Sequence, residues 1–183
     1  MPRSPAATRS IRLVEAEGHP PLVDLDDAFR RFAPLIAHVS LRILGRPQEV
    51  DDLVQDVFVE AGRWLQKIDS PAAFKYWLLK VAVREARRRL RRRRWRATFG
   101  LDDATDYSGV VDPAASTSQR AFVGELYRVL DRLPVNQRIA WTLRYIEGES
   151  SSEVADRCSC SHSTAKRWIM AAHRAIQEAF GDE

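Results

Sequence analysis

The residues best suited to chemistry in this sequence are cationic and crowd into positions 80–96. This run holds ten lysines and arginines and one acid, Glu85, in a chain of 183 residues whose net charge is only +4. Closely spaced arginines repel one another, and the phosphates of a nucleic acid relieve that repulsion. The run therefore predicts a surface that binds a phosphate backbone, with a solvated helix face as the plainer alternative.

A second group consists of Asp51, Asp52 and Asp56, near the start of a predicted helix. Clustered carboxylates serve as metal ligands or general bases in nucleases and related enzymes. This cluster lacks a second group of ligands, and no nucleophile beside a base accompanies it. An enzyme is therefore the least favoured function, since acids at the positive end of a helix dipole are explained more simply.

Cys158, Cys160 and His162 are residue types that bind zinc. They crowd one tight turn and have no fourth ligand nearby in the sequence, so we expect neither a metal nor another cofactor. The two cysteines are also too close together for an ordinary disulfide. We expect Cys160 to pack as a small apolar side chain, and redox sensing is the minor alternative.

This turn joins two segments of helical periodicity at the end of the chain, Ser151–Arg157 and His162–Phe180. Ser161 is an N-cap residue for the second segment. The second segment has one apolar side, which faces Val154 and Ala155 and consists of Ala165, Trp168, Ile169, Ala172 and Ile176. The layout is that of a helix-turn-helix, in which the second helix lies in the DNA major groove.

The preceding segments are predicted to be helical as well. Apolar residues recur at threes and fours from Leu25 to a stop at Gly45, and again over residues 48–68. A third helix follows, capped by Ser70 and opened by Pro71, and it runs into the arginine-rich segment.

The third helix changes character along its length. Past Leu90 its only large apolar residue is Trp95, so its last turns are predicted to project into solvent or onto a polyanion. Residues 97–118 lack periodicity and are rich in aspartate, which predicts a flexible acidic linker. The helical pattern resumes over residues 121–133 and 135–147.

Composition restricts the class of protein. Hydrophobic residues make up 45% and charged residues 30% of the chain, and no run approaches the roughly 18 apolar residues of a membrane helix. Residues 1–22 lack the apolar core of a secretory signal and are predicted to form a disordered tail. We therefore expect a cytoplasmic, all-α protein of two small helical domains joined by a flexible acidic linker.

Several short motifs occur in one order along this chain. In a first block, residues 25–96, they are FRRFAPL at 29–35, DDLVQDVF at 51–58 and AFKYWLLKVA at 73–82. In a second block, residues 126–180, they are LPVNQR at 133–138, LRYIEG at 143–148 and the helix-turn-helix. The arrangement resembles bacterial RNA polymerase sigma factors of the small, two-domain extracytoplasmic-function group of the sigma-70 family. Several dispersed matches in the right order are far more specific than one short motif.

The resemblance implies a division of labour. Residues 23–96 would form a region 2-like domain that binds core polymerase and the promoter −10 element, and residues 121–183 a region 4-like domain that binds the −35 element, with residues 97–120 as the linker. The protein would direct transcription initiation from a specific set of promoters and assist promoter melting, without catalysis. Its implied partners are core polymerase, promoter DNA and an anti-sigma factor.

The implied contact residues form three sets. The docking candidates, toward polymerase, are Asp51, Asp52, Leu53, Gln55, Asp56 and Phe58, with Leu53 and Phe58 holding the helix in place. The −10 candidates are Lys75, Tyr76, Lys80, Arg84, Arg87, Arg88 and Arg91. The −35 candidates are Ser161, His162, Ser163, Thr164, Lys166, Arg167, Met170 and Arg174.

The chain departs from the family pattern at a few of these positions. Arg84 stands where the family often has asparagine. The arginine makes a specific base contact there less expected and a contact with the DNA sugar-phosphate backbone more expected. Trp168, Met170 and Ala171 stand where the group often carries cations or an aromatic, which implies a weaker or shifted −35 preference. The alternative function is a stand-alone helix-turn-helix regulator, which leaves the acidic and basic helices of the first block unexplained.

Overall fold

The computed structural model describes residues 24–67, 70–101, 107–111 and 114–181. The predicted disordered tail and the linker acids Asp102, Asp103, Asp106 and Asp112 lie outside these residues. Within them the chain forms seven α-helices and no strand, which confirms the predicted all-α class. None of the described helices is long and apolar enough to cross a membrane.

Three helices form the first block: α1 Leu25–Leu44, α2 Val50–Trp64 and α3 Pro71–Thr98. The Asp24 carboxylate accepts the backbone N–H of Asp27 and starts α1, and Gly45 ends it with φ 69°, a conformation that glycine adopts without a Cβ penalty. Ser70 caps α3 by accepting the N–H of Ala73, as predicted. Short 3₁₀ turns replace the predicted ends of the second helix.

Four helices form the second block: α4 Thr117–Arg132, α5 Val135–Trp141, α6 Ser151–Arg157 and α7 His162–Phe180. The helix predicted over 135–147 changes at Thr142 into a π-helical turn, Thr142–Ile146. The bounds of α6 and α7 match the prediction, and Ser161 caps α7 by accepting the N–H of Thr164. The apolar side of α7 is buried, except that Trp168 is only half-buried. Ala165 and Ile169 share a core with Val154 and Ala155 as predicted, whereas Ala172 and Ile176 belong to the smaller cluster around Tyr127 and Trp141.

The two blocks pack against each other rather than standing apart. One continuous core joins Phe32, Leu53 and Leu78 of the first block to Ile139 and Ile169 of the second. α5 and α6 both contact α3, and the π-helical turn contacts α1. A smaller apolar cluster adds the described part of the linker, where the ring of Tyr107 stacks on that of Tyr127, 5.4 Å between centroids.

The end of α3 differs from the prediction. Arg89 and Arg93 are buried, so the inference that these turns project only into solvent or onto a polyanion is wrong. Arg89 pairs with Asp56 at 2.7 Å, and Arg93 donates to the carbonyl of Leu44 at 3.1 Å. Buried arginines are stable where acceptors satisfy their donors. Asp56 of α2 accepts from Arg89, and the end of α1 and Asp131 of the second block accept from Arg93.

The closest contact between the blocks is at the C-terminus of α1, where the last carbonyls of a helix lack internal partners. Arg138 of α5 donates from Nε to the carbonyl of Ile43 and from Nη2 to that of Leu44, both at 2.9 Å. The hydroxyl of Tyr127 donates to the carbonyl of Arg42 at 2.7 Å. We call these contacts, with that of Arg93, the α1 carbonyl cap.

Candidate nucleic-acid interface

The −35 candidates occupy the outer face of α7 and its first turn. All are exposed except Thr164, which is half-buried and shares a hydrogen bond with the Ser161 hydroxyl at 2.8 Å. Lys166, Arg167 and Met170 lie opposite the buried apolar side of the helix. A helix fixed on one side and cationic on the other has the form of an element that enters a DNA major groove.

Hydrogen bonds hold the turn before α7. Ser159 has φ 54°, and the backbone N–H groups of Cys158 and Cys160 donate to Val154 and Ala155, each at 2.9 Å. The Ser151 hydroxyl and the His162 ring share a hydrogen bond of 2.8 Å, which ties the start of α6 to the start of α7. These bonds fix the angle at which α7 is presented.

The two cysteines of this turn are free thiols. Cys158 is only 3% exposed, and burial raises the pKa of its thiol to about 11 although Arg87 nearby opposes the shift. Cys160 is partly buried against the core, in agreement with apolar packing. Within the described ranges, no three histidine, cysteine, aspartate or glutamate side chains are grouped closely enough to hold a metal ion.

The docking candidates divide into two classes on α2. Asp51, Asp52 and Gln55 are exposed, whereas Leu53 and Phe58 are buried and hold the helix against the core. Asp56 faces α3, where one of its oxygens accepts from Arg89 at 2.7 Å and from Arg88 at 3.4 Å. Asp56 is exposed as well, but of these three acids only Asp51 and Asp52 make no ion pair with another described residue.

A shallow apolar groove beside Gln55 was missed by the sequence reasoning. It is lined by Leu25, Asp26, Phe29, Gln55, Phe58 and Val59. Phe29 and Val59 are exposed, and the ring of Phe29 meets that of Phe58 edge-on at 4.9 Å between centroids. The helical period alone placed Phe29 on the inward face of α1 and gave no signal at Val59.

The −10 candidates lie along one side of α3. Phe74 is fully buried, whereas Tyr76, which lies off the apolar stripe of α3, is 40% exposed. Arg84 and Arg88 are exposed and pair with Glu60 and Asp56 of α2. Arg91 is exposed and makes no ion pair with another described residue, and Lys75 is exposed at the other end of the row.

Three −10 candidates contact the helix-turn-helix. The ammonium Nζ of Lys80 lies 3.2 Å from an oxygen of Asp156, and Arg87 donates to the carbonyl of Cys158 at 3.0 Å. Arg157 donates to the backbone carbonyl of Tyr76 at 3.2 Å, and its guanidinium carbon lies 4.7 Å from the centroid of the Tyr76 ring.

Asp156 and Arg157 form the last turn of α6, and sequence reasoning had assigned neither residue a role. The pairs that they make with α3 span 76 and 81 residues of sequence, so no local pattern signals them. Arg157 also pairs with Glu149 at 3.1 Å. Burial raises the pKa of Glu149, and the charge of Arg157 opposes that shift.

Family comparisons match both blocks. Residues 28–96 match the family model described as Sigma-70 region 2, and residues 124–176 match that described as Sigma-70, region 4. The chain is 30% identical to the ECF RNA polymerase sigma-E factor of Escherichia coli over 70% of this chain and 72% of that protein. It is 27% identical to the RNA polymerase sigma-H factor of Pseudomonas aeruginosa over 79% of each chain.

Solved structures share the fold. The sigma factor RpoE of Bartonella quintana, in complex with the anti-sigma factor NepR, aligns with a TM-score of 0.63 at 20% identity over 86% of this chain and 97% of that one. CnrH, in complex with the cytosolic domain of CnrY, aligns with a TM-score of 0.58 at 22% identity, covering 87% of this chain and 89% of that chain.

Proposed function

Since the chain belongs to the extracytoplasmic-function group of sigma-70 factors, which direct RNA polymerase to specific promoters, we propose a role in initiation for each of its exposed surfaces. Residues 23–96 bind core polymerase and the −10 element, and residues 121–183 read the −35 element. The remaining question is which side chains make the contacts.

The polymerase-binding surface lies on the outer face of α2. Asp51, Asp52 and Gln55 supply charge and hydrogen-bonding groups, and the apolar groove beside them, with Phe29 and Val59 at its surface, supplies a place for an apolar side chain of the partner. Leu53 and Phe58 act indirectly, because both are buried and fix the helix. Asp56 acts chiefly within the chain, where it holds Arg88 and Arg89.

The −10 surface combines the Tyr76 ring with cations on both sides of it. Aromatic faces stack on unpaired bases, and lysine or arginine beside them holds the sugar-phosphate strand. Lys75 is next to Tyr76 in the sequence and the Lys80 ammonium lies 5.5 Å from the Tyr76 ring centroid, while Arg84, Arg87, Arg88 and Arg91 continue the row toward flanking phosphates. Arg84 contacts the DNA sugar-phosphate backbone rather than a base, because it is an arginine where the family often has asparagine.

The −35 surface is the outer face of α7. Lys166 and Arg167 donate to base edges or phosphates, and the hydroxyls of Ser161, Ser163 and Thr164 lie at the end of the helix that enters the groove. Arg174 reaches the DNA sugar-phosphate backbone. Met170 offers an apolar contact where relatives often carry a polar or aromatic side chain.

Further partners and location follow from the same assignment. The solved relative RpoE is a sigma factor in complex with an anti-sigma factor, and we assign this chain a partner of that class. It acts in the cytoplasm, with polymerase, as an initiation factor and not as an enzyme. A stand-alone regulator is disfavoured by one observation: the whole first block, with its acid-bearing α2 and cationic α3, matches region 2.

The experiment that tests these surfaces pairs two double variants in a reconstituted transcription assay with core polymerase. Asp51→Arg with Asp52→Arg reverses charge on the polymerase surface, and we expect at least about tenfold weaker binding to core, since like charges now meet at the interface. Lys166→Ala with Arg167→Ala keeps core binding and loses preference for the −35 sequence, by about 10-fold or more.

Each variant serves as the control for the other. Core affinity of both variants is measured by fluorescence anisotropy, and −35 preference of the Lys166 and Arg167 variant by selection from a randomised promoter library in the presence of core. Loss of core binding by the Lys166 and Arg167 variant, or wild-type core binding by the Asp51 and Asp52 variant, contradicts the assignment. Asp56 is left intact because its ion pairs support α3.

A further inference from the structure

The last turn of α6 covers the middle of the −10 surface. Asp156 lies against Lys80, Arg157 lies over Tyr76, and Arg87 reaches the carbonyl of Cys158 just beyond. Three of the −10 candidates are therefore engaged by the helix-turn-helix, and the same face of α3 cannot hold a DNA strand in this arrangement.

The chemistry of these contacts resembles that of a bound nucleotide. A carboxylate beside the Lys80 ammonium satisfies the same charge that a phosphate satisfies. The flat guanidinium of Arg157, 4.7 Å from the Tyr76 centroid, covers the aromatic face on which an unstacked base would lie. Lys80 itself lies 5.5 Å from the same centroid, so the carboxylate, the cation and the ring form one compact group.

We propose that Asp156 and Arg157 form an internal nucleotide mimic, which competes with the −10 strand for Tyr76, Lys80 and Arg87. The inference rests on the proposed −10 role of those three residues. In this proposal the competing ligand is part of the chain itself. The carboxylate of Asp156 occupies the phosphate position, and the guanidinium of Arg157 occupies the base position.

These contacts are suited to exchange. The side chains of Lys80 and Asp156 are 33% and 40% exposed, so water screens the pair and it contributes little to holding the blocks together. In the same contact, the buried Arg87 Nε lacks a hydrogen-bond partner. A DNA strand that supplies several phosphates can therefore replace these polar contacts, and the apolar core shared by the blocks is the larger cost of opening.

The two promoter-binding surfaces differ in access as a result. The outer face of α7 points away from α3 and stays exposed while α6 covers the −10 surface. The closed chain is free to meet −35 DNA, whereas −10 binding requires α6 to leave α3. Productive promoter binding is thus coupled to separation of the two blocks.

The test measures binding of the full chain to single-stranded DNA without polymerase. The probe is a fluorescein-labelled pool of random sequence, about 12 nucleotides long, followed by anisotropy at low salt. We expect Asp156→Ala with Arg157→Ala to bind about 5- to 10-fold more tightly than the parent, the range for loss of one half-exposed ion pair and one cation–π contact.

A matched control is available on α4. Glu125→Ala with Arg128→Ala also removes one exposed ion pair and leaves the net charge unchanged, and it should bind like the parent. Asp156→Asn provides a second variant that keeps the Arg157–Glu149 pair intact, and it should show a smaller gain. Thermal unfolding followed by circular dichroism verifies that each variant is folded.

Tyr76→Ala with Lys80→Ala separates the inference from the proposed function. Added to the Asp156 and Arg157 variant, it should abolish the gain. No gain in the Asp156 variants, while Tyr76→Ala with Lys80→Ala still weakens binding in the parent, overturns the mimic and leaves the −10 role standing. A gain that persists without Tyr76 and Lys80 overturns the −10 role itself.

Discussion

Arg138 carries its charge with only 2% of its surface exposed, because every side of its guanidinium meets an acceptor. Two carbonyls of α1 and the carboxylate of Asp131 take its donors, and burial lowers its pKa while Asp131 opposes the shift. Arg91, in the same chain, faces water. Identical side chains thus donate to buried acceptors or stay exposed according to which acceptors the fold brings to them.

The two cysteines, Cys158 and Cys160, are expected to differ in reactivity. At pH 8 we expect a small thiol reagent to modify Cys160 well before Cys158, because the Cys158 thiol is buried and its pKa of about 11 keeps it protonated. Burial also raises the pKa of Cys160, but this residue is more open to solvent. Peptide mass spectrometry over a time course measures both rates.

A Cys160→Ala variant is the control for that measurement. It should remain largely unmodified until denaturant is added, when Cys158 becomes accessible. Equal rates for the two thiols in the folded parent would show that the turn before α7 opens readily, contrary to its hydrogen bonding.

Most helix ends in this chain have local caps, and the C-terminus of α1 is capped from across the molecule. Ser70, Ser150 and Ser161 cap their own helices through local hydrogen bonds, so three-residue spacing in the sequence reveals them. The C-terminus of α1 is different. Gly45 ends the helix locally, yet the carbonyls just before it are satisfied by Tyr127 and Arg138 of the second block.

A glycine pair tests this element. Gly45 and Gly148 both have positive φ, 69° and 74°, but a Cβ at Gly45 would lie 2.6 Å from the Tyr127 ring, whereas one at Gly148 meets nothing within 4 Å. We expect Gly148→Ala to lower the free energy of unfolding by about 1 kcal/mol and Gly45→Ala by about 2 to 3 kcal/mol. Urea unfolding measures both, and equal losses would mean that Tyr127 does not pack on α1 in solution.

On the scale of the whole molecule, the blocks meet through an interface that mixes apolar core with buried arginine. Breaking a buried charged contact is costly, but separated blocks return Arg93 and Arg138 to water, which offsets part of that cost. Burial in the closed form lowers the pKa of Arg93 to about 10, a measure of how poorly that site solvates the charge. The continuous apolar core opposes separation of the blocks, and the buried charges oppose it less.

Arg138→Met tests the closed arrangement. The substitution removes the donor to the carbonyls of Ile43 and Leu44 and leaves the α1 carbonyl cap incomplete, which shifts the chain toward separated blocks by about 3 kcal/mol. Small-angle X-ray scattering should show a larger radius of gyration than that of the parent, for which a compact chain of this length gives roughly 16 Å.

Arg128→Met, on the exposed side of α4, is the matched control and should leave the radius unchanged. Helical circular dichroism should persist in both variants. An unchanged radius for Arg138→Met would refute the role of this arginine in joining the blocks, and a loss of helical signal would show that it supports the second block alone.

Local spacing was enough to predict most of the fold and the exposed parts of the site. The bounds of α6 and α7, and the exposure of Tyr76 beside a buried Phe74, follow from a helical period that each segment carries by itself. The burial of Arg89 and Arg93 was not predictable in this way. Their acceptors come from other helices, and no periodicity encodes which helix will supply a carbonyl or a carboxylate.

The α1 carbonyl cap also has a consequence for the order of events during synthesis. Arg138 follows Leu44 by 94 residues, so at typical translation speeds a ribosome adds it roughly 5 to 20 s later. During that interval the first block emerges with the end of α1 uncapped and Tyr76 uncovered. The nascent chain therefore passes through an open, nucleic-acid-accessible state, and closure is among the last steps of its maturation.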